Sequence, residues 1–373
     1  MKAPLRKFFA ALFCLATLSG CTTGREIPKG CLTTITEAAQ NGRNAAVIPV
    51  WLDPDGGTIT PVCDEETHGA DCPFLGLDDS VRSYLTTEDG AIYYFTEQNT
   101  DTGDKTATLW EYTIRNGKTR EIDSRTNTLW RSKTLLTDGY VFQWERDEKD
   151  ERCDLTCMAL SDRTHEKHPI TAIPQKIVET GSGAYAYYLL DDANGYPCGF
   201  YRADWRPSAA QGQTARTLLF YDGKCRITGI WCEDDVVYWR GQLRYDAGSD
   251  TQYLYRYDPK TDETTEVCEL YGGTQMVGHG DFFYYIQHVT YPDGDRESRY
   301  VFSRLRKSTG ESKVLDTLPV EWKSDGAPRI YESWVLVRLL KVADNTEGFY
   351  CWNIDTGEAK LISAADAAPI AAQ

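Results

Sequence analysis

Basic residues, histidine and methionine are scarce in this chain of 373 residues. Only 40 Lys and Arg stand against 56 Asp and Glu, which gives a formal net charge of −16. This balance argues against nucleic-acid binding, because affinity for phosphate depends on clustered Lys and Arg. The 5 histidines are not grouped with serine and aspartate, so the sequence does not support a hydrolytic catalytic triad.

Motifs of several enzyme classes are missing as well. The sequence contains no Gly-x-Ser-x-Gly nucleophile elbow, no glycine-rich phosphate loop and no aspartate box of the sialidase type. A pair of carboxylates that cleaves glycosidic bonds is defined by distance in space, so that chemistry stays open. The sequence therefore favours binding over catalysis and predicts no cofactor.

The first 20 residues have the pattern of an export signal. Lys2, Arg6 and Lys7 precede an uncharged stretch of eleven residues at 8–18. A transmembrane helix needs about 20 apolar residues, so this stretch is typical of a signal peptide. It ends in Leu-Ser-Gly-Cys at Cys21, which resembles the lipobox of bacterial lipoproteins.

The resemblance implies that residues 1–20 are removed and that Cys21 carries a lipid anchor. Two or three acyl chains, at about 0.8 kcal/mol per buried methylene, hold a protein durably in a membrane. We therefore expect a lipid-anchored protein on the extracytoplasmic face of the cell membrane, or on the outer membrane in a Gram-negative organism. Residues 21–45 would form a lipidated spacer.

Aromatic residues are abundant, with 23 Tyr, 12 Phe and 10 Trp, and many of them belong to a repeat. Six times a tight polar turn precedes a short, almost wholly apolar run, as at residues 91–95. The turns end at Gly90, Gly139, Gly183, Asp235, Asp281 and Ser333, at intervals of 49, 44, 52, 46 and 52 residues. This spacing predicts six equivalent structural units.

Each unit has the pattern of four antiparallel strands. A short strand precedes the turn and the apolar strand follows it. A Gly or Asp turn, such as Asn116-Gly117 or Asp222-Gly223, then joins a third strand to a polar fourth strand. Four strands in about 45 residues are typical of a β-propeller blade. The sequence predicts an all-β propeller over residues 46–363, with six blades of four antiparallel strands and a C-terminal tail at 364–373.

The hairpin at residues 46–62 leaves the number of blades open. Its two runs flank the turn Asp53-Pro54-Asp55-Gly56-Gly57, as in half of a blade. The hairpin is either an added strand pair near the ring closure or part of a seventh blade. We favour six blades, with seven as the alternative.

Cys63, His68 and Cys72-Pro73-Phe74 follow this hairpin. Together with the repeated turns, they make residues 46–363 resemble TolB-like six-bladed propellers, especially bacterial lipoproteins of unknown function. Such chains often carry a loop that ends in Cys-Pro-Phe at this point. The resemblance implies a fold and no activity.

Ten of the 12 cysteines remain if Cys14 leaves with the signal peptide and Cys21 is lipidated. An even number in an exported chain permits disulfide bonds, and buried thiols are the alternative. The candidate disulfide bonds join Cys63 with Cys72, Cys153 with Cys157 and Cys225 with Cys232.

Two kinds of residue groups could bind a metal ion, sets of Cys and His and carboxylate-rich turns. Cys63, His68 and Cys72 offer ligands that suit zinc, but a structural zinc site needs a fourth ligand. The carboxylates around Asp53 and Asp258 could bind calcium, but they are also ordinary residues of tight turns. We interpret the first group as a disulfide or a weak metal site and the carboxylates as turn residues.

Long segments between the predicted strands form the candidate binding surface. Segment 196–213 contains Arg202, Trp205 and Arg206, and two further segments contain Tyr245 and Tyr291. Exposed Tyr, Trp and Arg are typical anchors for carbohydrate and protein partners, and loops on a rigid scaffold commonly bind ligands.

Together these features predict a surface-anchored lipoprotein whose propeller binds a glycan, a peptide or an envelope protein. One alternative is an extracytoplasmic enzyme that acts on polysaccharide through carboxylates at the propeller funnel. The other is an accessory or sensor subunit of an envelope transporter.

Replacing Cys21 with serine (Cys21→Ser) should abolish lipid attachment, because the thioether bond requires the thiol. Cells that produce the protein are grown with a radioactive fatty acid, and label is expected in the natural chain and absent from the variant. Cys14→Ser is the control, since Cys14 lies inside the signal peptide and its loss should leave the labelling unchanged. Equal labelling of Cys21→Ser and the natural chain would contradict the prediction.

Overall fold

The computed structural model describes a large part of the chain between residues 29 and 364. The described residues are 29–37, 46–62, 81–86, 91–99, 105–114, 117–126, 135–137, 140–146, 153–159, 165–170, 174–180, 183–191, 193, 196–204, 216–233, 236–242, 251–270, 275–289 and 298–364. None of these segments is an α-helix. Over the same segments, no helix has the length and hydropathy that crossing a bilayer requires.

The strands of the described segments form seven antiparallel sheets, numbered I to VII in chain order. Sheet I has three strands: β1 (Cys31–Glu37), β2 (Ala46–Asp53) and β3 (Thr58–Pro61). Sheet II has β4 (Val81–Thr86), β5 (Ala91–Asn99), β6 (Lys105–Thr113) and β7 (Lys118–Thr126). Sheet III has β8 (Leu135–Thr137), β9 (Tyr140–Arg146), β10 (Cys153–Ala159) and β11 (His165–Ile170). Sheet IV has β12 (Pro174–Thr180), β13 (Gly183–Asp191), β14 (Pro197–Asp204) and β15 (Arg216–Tyr221).

The C-terminal sheets continue this order, in which each strand pairs with the next one along the chain. Sheet V has β16 (Arg226–Glu233), β17 (Val236–Gln242), β18 (Gln252–Asp258) and β19 (Glu263–Leu270). Sheet VI has β20 (Gln275–His279), β21 (Phe282–Val289), β22 (Arg299–Arg306) and β23 (Ser312–Thr317). Sheet VII has β24 (Trp322–Ser324), β25 (Arg329–Tyr331), β26 (Trp334–Lys341), β27 (Glu347–Asn353) and β28 (Ala359–Ser363). Both β24 and β25 pair with β26, one after the other.

The described residues contain one sheet more than the six units of the repeat, so the count of six blades is not confirmed. Sheet I is the additional sheet. Its strand β1 lies inside the segment 21–45, which was expected to be a spacer, and pairs with β2 from Cys31 to Glu37. The segment is rich in Thr and contains Ile35, residues that favour strands, but it lacks the aromatic run that marks the other units.

The second strand of a sheet is apolar on both faces because each face packs against a different neighbour. In β26, Val335 and Val337 pack in one cluster with sheet VI. The alternate residues Trp334 and Leu336 pack in another cluster with sheet I. Successive side chains of a strand point to opposite faces, so a strand between two sheets needs apolar residues at every position. Packing on both faces accounts for the apolar runs that the sequence repeats.

The pairing of the third and fourth strands contains a β-bulge that recurs in several sheets. In sheets II, IV, V and VI the register shifts by one residue, and the extra residue on the fourth strand is Ile122, Leu219, Val267 and Leu315, respectively. Leu219, Val267 and Leu315 each pack against the core shared with the following sheet. A bulge increases the local twist, and here it lets a mostly polar outer strand contribute one apolar side chain to the interface.

Sheet I connects the two ends of the described chain. Val50 and Leu52 pack on Trp334 of sheet VII, and Trp51 packs on sheet II. Sheets IV, V, VI and VII pack against one another in succession. The first strands of neighbouring sheets are also in contact, β12 with β16 and β20 with β25. The N-terminal sheet thus lies against the C-terminal sheet, as closure of a ring around a hub requires.

Replacing Phe283 with alanine should destabilise the interface between sheets V and VI. Phe283 has 0% exposure and packs edge-on against Tyr238, with ring centroids 5.0 Å apart. Loss of such a side chain leaves a cavity and should lower the free energy of unfolding by about 4 kcal/mol, measured by urea denaturation. Val314→Ala, at a side chain 55% exposed on the same sheet, is the control and should change it by less than about 0.5 kcal/mol. Equal effects of the two substitutions would contradict the assigned packing.

Candidate functional site

Most of the side chains that the sequence analysis singles out lie outside the described residues, and their roles stay predictions. These are Cys21, Cys63, His68, Cys72, Trp205, Arg206, Tyr245 and Tyr291. For Cys153 and Cys157 the structure describes the strand β10 but not the side chains.

Arg202 is described, and it is a strand residue rather than a loop residue. It lies in β14 opposite Tyr187 and Thr217, its side chain is half-buried, and its charge acts on Tyr257 of sheet V. The sequence predicts one long loop at 196–213 because the turn at 222–223 resembles a link between third and fourth strands. In the structure that turn joins sheet IV to sheet V.

The three long connecting segments leave their sheets at two different ends. Segment 205–215 joins the third and fourth strands of sheet IV, whereas 243–251 and 290–298 join the second and third strands of sheets V and VI. In an antiparallel sheet, successive connections alternate between the two ends. The segments therefore start from two different ends of their sheets, and their role in binding stays a prediction.

The disulfide predicted between Cys225 and Cys232 is wrong. Cys225 directly precedes β16 and Cys232 lies near its end, and both are thiols in the structure. An extended strand rises about 3.3 Å per residue, so the two Cα atoms are separated by about 20 Å. A disulfide requires less than about 7 Å.

The turn that contains Asp53 and Asp55 is a structural element of the ring closure. Asp53 Oδ1 accepts hydrogen bonds from the backbone N–H of Asp55 and of Gly56, each 3.0 Å long. This confirms the interpretation as a turn. Within the described segments, no group of three or more His, Cys, Asp and Glu could hold a metal ion.

Asp55 links this turn to the last sheet. The indole N–H of Trp334 donates to Asp55 Oδ1 at 2.9 Å, and the Lys360 ammonium donates to the backbone oxygens of Pro54 and Asp55. The side-chain hydrogen bond from Lys29, followed by that from Trp334, holds the pKa of Asp55 below its ordinary value. A lowered carboxyl pKa stabilises the folded state above the ordinary pKa, and this contribution is lost as the pH falls.

A pocket of about 100 Å³ lies between sheets I and VII. Its floor is apolar and consists of the buried side chains of Leu52, Leu336 and Phe349. Cys31 and Thr33 of β1 form one wall. The opposite wall comes from the segment between β24 and β25 and from two arginines: Asp325, Gly326, Ala327, Arg329 and Arg338.

Arg338 is neutralised by two carboxylates of its own sheet. Its Nη2 pairs with Oε1 of Glu347, whose side chain is 4% exposed, and its Nε lies 3.4 Å from Asp325 Oδ2. Asp325 is held in place because its backbone N–H donates to the Arg338 carbonyl at 2.9 Å. The three residues form a charge network beside the pocket, where a buried charge is tolerated only when it is paired.

Arg329 differs from Arg338 in its charge balance. It is exposed at the rim of the pocket, and the described part of the chain provides no ion pair for it. Burial raises the pKa of the Cys31 thiol. The positive charge of Arg329 lowers the same pKa, but by less than burial raises it. Among the described residues that line the pocket, Arg329 is therefore a cation without an ion pair, and it lies near an apolar floor.

Sequence reasoning did not find this site. Arg338 interrupts the apolar run of β26, and Asp325-Gly326 interrupts the first strand of the same sheet. Both interruptions were visible in the sequence. Their proximity to Cys31 was not, because that contact depends on the packing of sheet I against sheet VII.

The chain matches no known family profile and no curated protein. It is similar in structure to oligogalacturonate lyase from Vibrio parahaemolyticus, with a TM-score of 0.57, 10% identity and coverage of 88% of both chains. An oligogalacturonate lyase in complex with manganese gives a TM-score of 0.55 and 11% identity, over 89% of this chain and 98% of that chain. The β-propeller domain of the Trilobed protease from Pyrococcus furiosus, which has an open velcro topology, gives 0.50 and 9%, over 76% and 84%.

Identities this low carry information about the fold alone. The chain is an all-β protein with a β-propeller fold, as the sequence predicts. It spans 49% of a prolyl endopeptidase that it also matches.

Replacing Arg338 with methionine should destabilise the folded protein, because Glu347 would remain buried without the cation that pairs with it. Removal of one partner of a buried ion pair typically lowers the free energy of unfolding by about 3 kcal/mol, measured by urea denaturation. The double variant Arg338→Met/Glu347→Leu is the matched control and should recover most of this loss, since no charge is left unpaired. A double variant as unstable as Arg338→Met would contradict the proposed pairing.

Proposed function

We propose that this protein is a lipid-anchored binding scaffold whose pocket between sheets I and VII receives an acidic group of a glycan or peptide. The observation that carries the proposal is Arg329, an exposed guanidinium at the pocket rim with no ion pair in the described segments. The membrane anchor rests on the lipobox that ends at Cys21. The TolB-like resemblance of the loop at 63–74 supports the class of exported lipoproteins.

The chemistry of the pocket suits a carboxylate on a partly apolar body. A guanidinium can bind a carboxylate through two parallel hydrogen bonds. Arg338 already has two carboxylate partners, so Arg329 is the cation that a ligand would meet. Thr33 and Asp325 offer hydrogen-bonding groups for hydroxyls, and the floor under them offers an apolar surface for C–H groups.

The size of the pocket limits what it holds. Whole drug-sized ligands occupy about 300 to 1,000 Å³, whereas this pocket has about 100 Å³. It therefore suits one acidic group of a longer molecule whose remainder lies outside. Oligogalacturonate, the substrate named for two of the similar structures, has this chemistry, since each unit carries a carboxylate.

An enzyme that acts on polysaccharide is the second candidate, supported by the similarity to the lyases over most of their length. Hydrolysis of a glycosidic bond commonly uses two carboxylates about 5 to 10 Å apart. Asp325 is the carboxylate that lines the described pocket, while Glu347 is nearly inaccessible. We therefore prefer binding to catalysis.

Substitution of Arg329 tests the proposal. The purified protein is titrated with short oligogalacturonates, neutral galactose oligomers of equal length and acidic peptides by isothermal calorimetry. Arg329→Gln should weaken binding of the acidic ligand about tenfold, the cost of one charge-assisted contact. Lys313→Gln, which removes an exposed cation on the outer strand of sheet VI, is the matched control and should leave affinity unchanged.

Three outcomes would count against the proposal. These are equal affinity for acidic and neutral oligomers, equal effects of the two substitutions, and no binding of any acidic ligand. Conversion of the oligogalacturonate to an unsaturated product, followed by its ultraviolet absorbance, would favour the lyase instead.

A further inference from the structure

Cys198 and Cys225 come together where sheet IV passes into sheet V, although 26 residues separate them in the sequence. The backbone carbonyl of Cys198 accepts a hydrogen bond from Asp222 N–H at 3.1 Å. The carbonyl of Asp222 in turn accepts one from Cys225 N–H at 2.8 Å. In a turn closed in this way the first and fourth Cα atoms lie within about 7 Å, so both cysteines are neighbours of Asp222.

The two thiols are also close enough to interact, because the Cys198 side chain acts on the titration of Cys225. Cys198 is the extra residue of a bulge between β13 and β14, and its Sγ lies 3.6 Å from the Leu190 carbonyl oxygen. Both cysteines are thiols in the structure. Phe200 packs in the core between sheets IV and V, and Cys225 belongs to that core. Cys198 is 0% exposed and Cys225 is 4% exposed.

We propose that Cys198 and Cys225 form a disulfide bond in the exported protein, in place of the pair expected from the sequence. Each thiol loses one proton and one electron, and a sulfur–sulfur bond forms between them. The oxidant is a disulfide, either a small molecule such as glutathione disulfide or a protein, and its own sulfur–sulfur bond is reduced to two thiols. This proposal is independent of the ligand proposed for the pocket. It depends only on the expected export of the protein.

The two thiols are expected to be oxidised while the chain folds. Burial, followed by the charge of Asp222 and the nearby thiol of Cys198, raises the pKa of Cys225 to about 12. The thiolate is the reacting species in disulfide exchange, so a buried thiol of this kind reacts slowly. The bond should therefore form before the interface between sheets IV and V closes.

The bond would restrain the backbone next to Tyr196, an exposed aromatic residue. Tyr196, two residues before Cys198, is 46% exposed, and the Arg226 guanidinium lies 5.7 Å from the centroid of its ring. Arg226 directly follows Cys225. A disulfide between the two segments would hold this pair in one geometry across the junction of the two sheets.

Peptide mapping distinguishes this disulfide from the alternatives. The full chain is denatured, reduced and refolded in a glutathione redox buffer, and its remaining thiols are then alkylated without reduction. Trypsin places Cys198 in peptide 177–202, Cys225 in the dipeptide 225–226 and Cys232 in peptide 227–240. We expect a species that joins 177–202 to 225–226, and its disappearance after reduction. Alkylated Cys198 and Cys225, or a link between 225–226 and 227–240, would overturn the proposal.

Thermal unfolding provides a second readout. Cys198→Ser, Cys225→Ser and the double variant should each lower Tm by about 5 °C under oxidising conditions and by much less under reducing conditions. Cys232→Ser removes a third cysteine of the same core and should change Tm equally under both conditions. Additive losses in the double variant, independent of the redox conditions, would show that the two cysteines act only through packing.

Discussion

The packing of sheet I against sheet VII is the contact on which the rest of this structure depends. It joins residues about 280 positions apart, as the hydrogen bond from Trp334 to Asp55 illustrates. A contact between distant parts of a chain has the largest entropic cost of loop closure. Apolar burial and polar bonds together offset this cost. Val50, Leu52 and Trp334 provide the apolar part, and Asp55 with Lys360 provides the polar part.

The same contact creates the candidate site. Where sheet VII faces sheet I, Leu52, Leu336 and Phe349 form the floor of the pocket, and the charged residues lie at its edge. Arg338 is neutralised within its sheet, whereas Arg329 at the rim has no ion pair in the part of the chain that the structure describes. A rigid ring with an irregular segment at one interface is a suitable support for binding, since the scaffold fixes the positions of the contacting groups.

Several features of the fold could be predicted from the sequence because their cause is local. The apolar second strands follow from the need to cover two neighbours, and the polar fourth strands follow from exposure at the outer edge. Strand β1 was missed because its Thr-rich sequence lacks the aromatic run. Arg202 was assigned to a loop because the turn at 222–223 resembles the internal turns of the other units, although it connects two sheets.

Local patterns in the sequence were enough to predict the all-β class and the repeated sheets, because alternation and turn residues act over a few positions. The export signal and the lipobox are likewise predictions from linear patterns. The tertiary structure decided which sheets meet at the closure, that Arg329 faces Cys31, and that Cys198 lies beside Asp222 and Cys225. Those relations join residues far apart in the chain or on different sheets, and they depend on how the sheets twist and pack around the common axis.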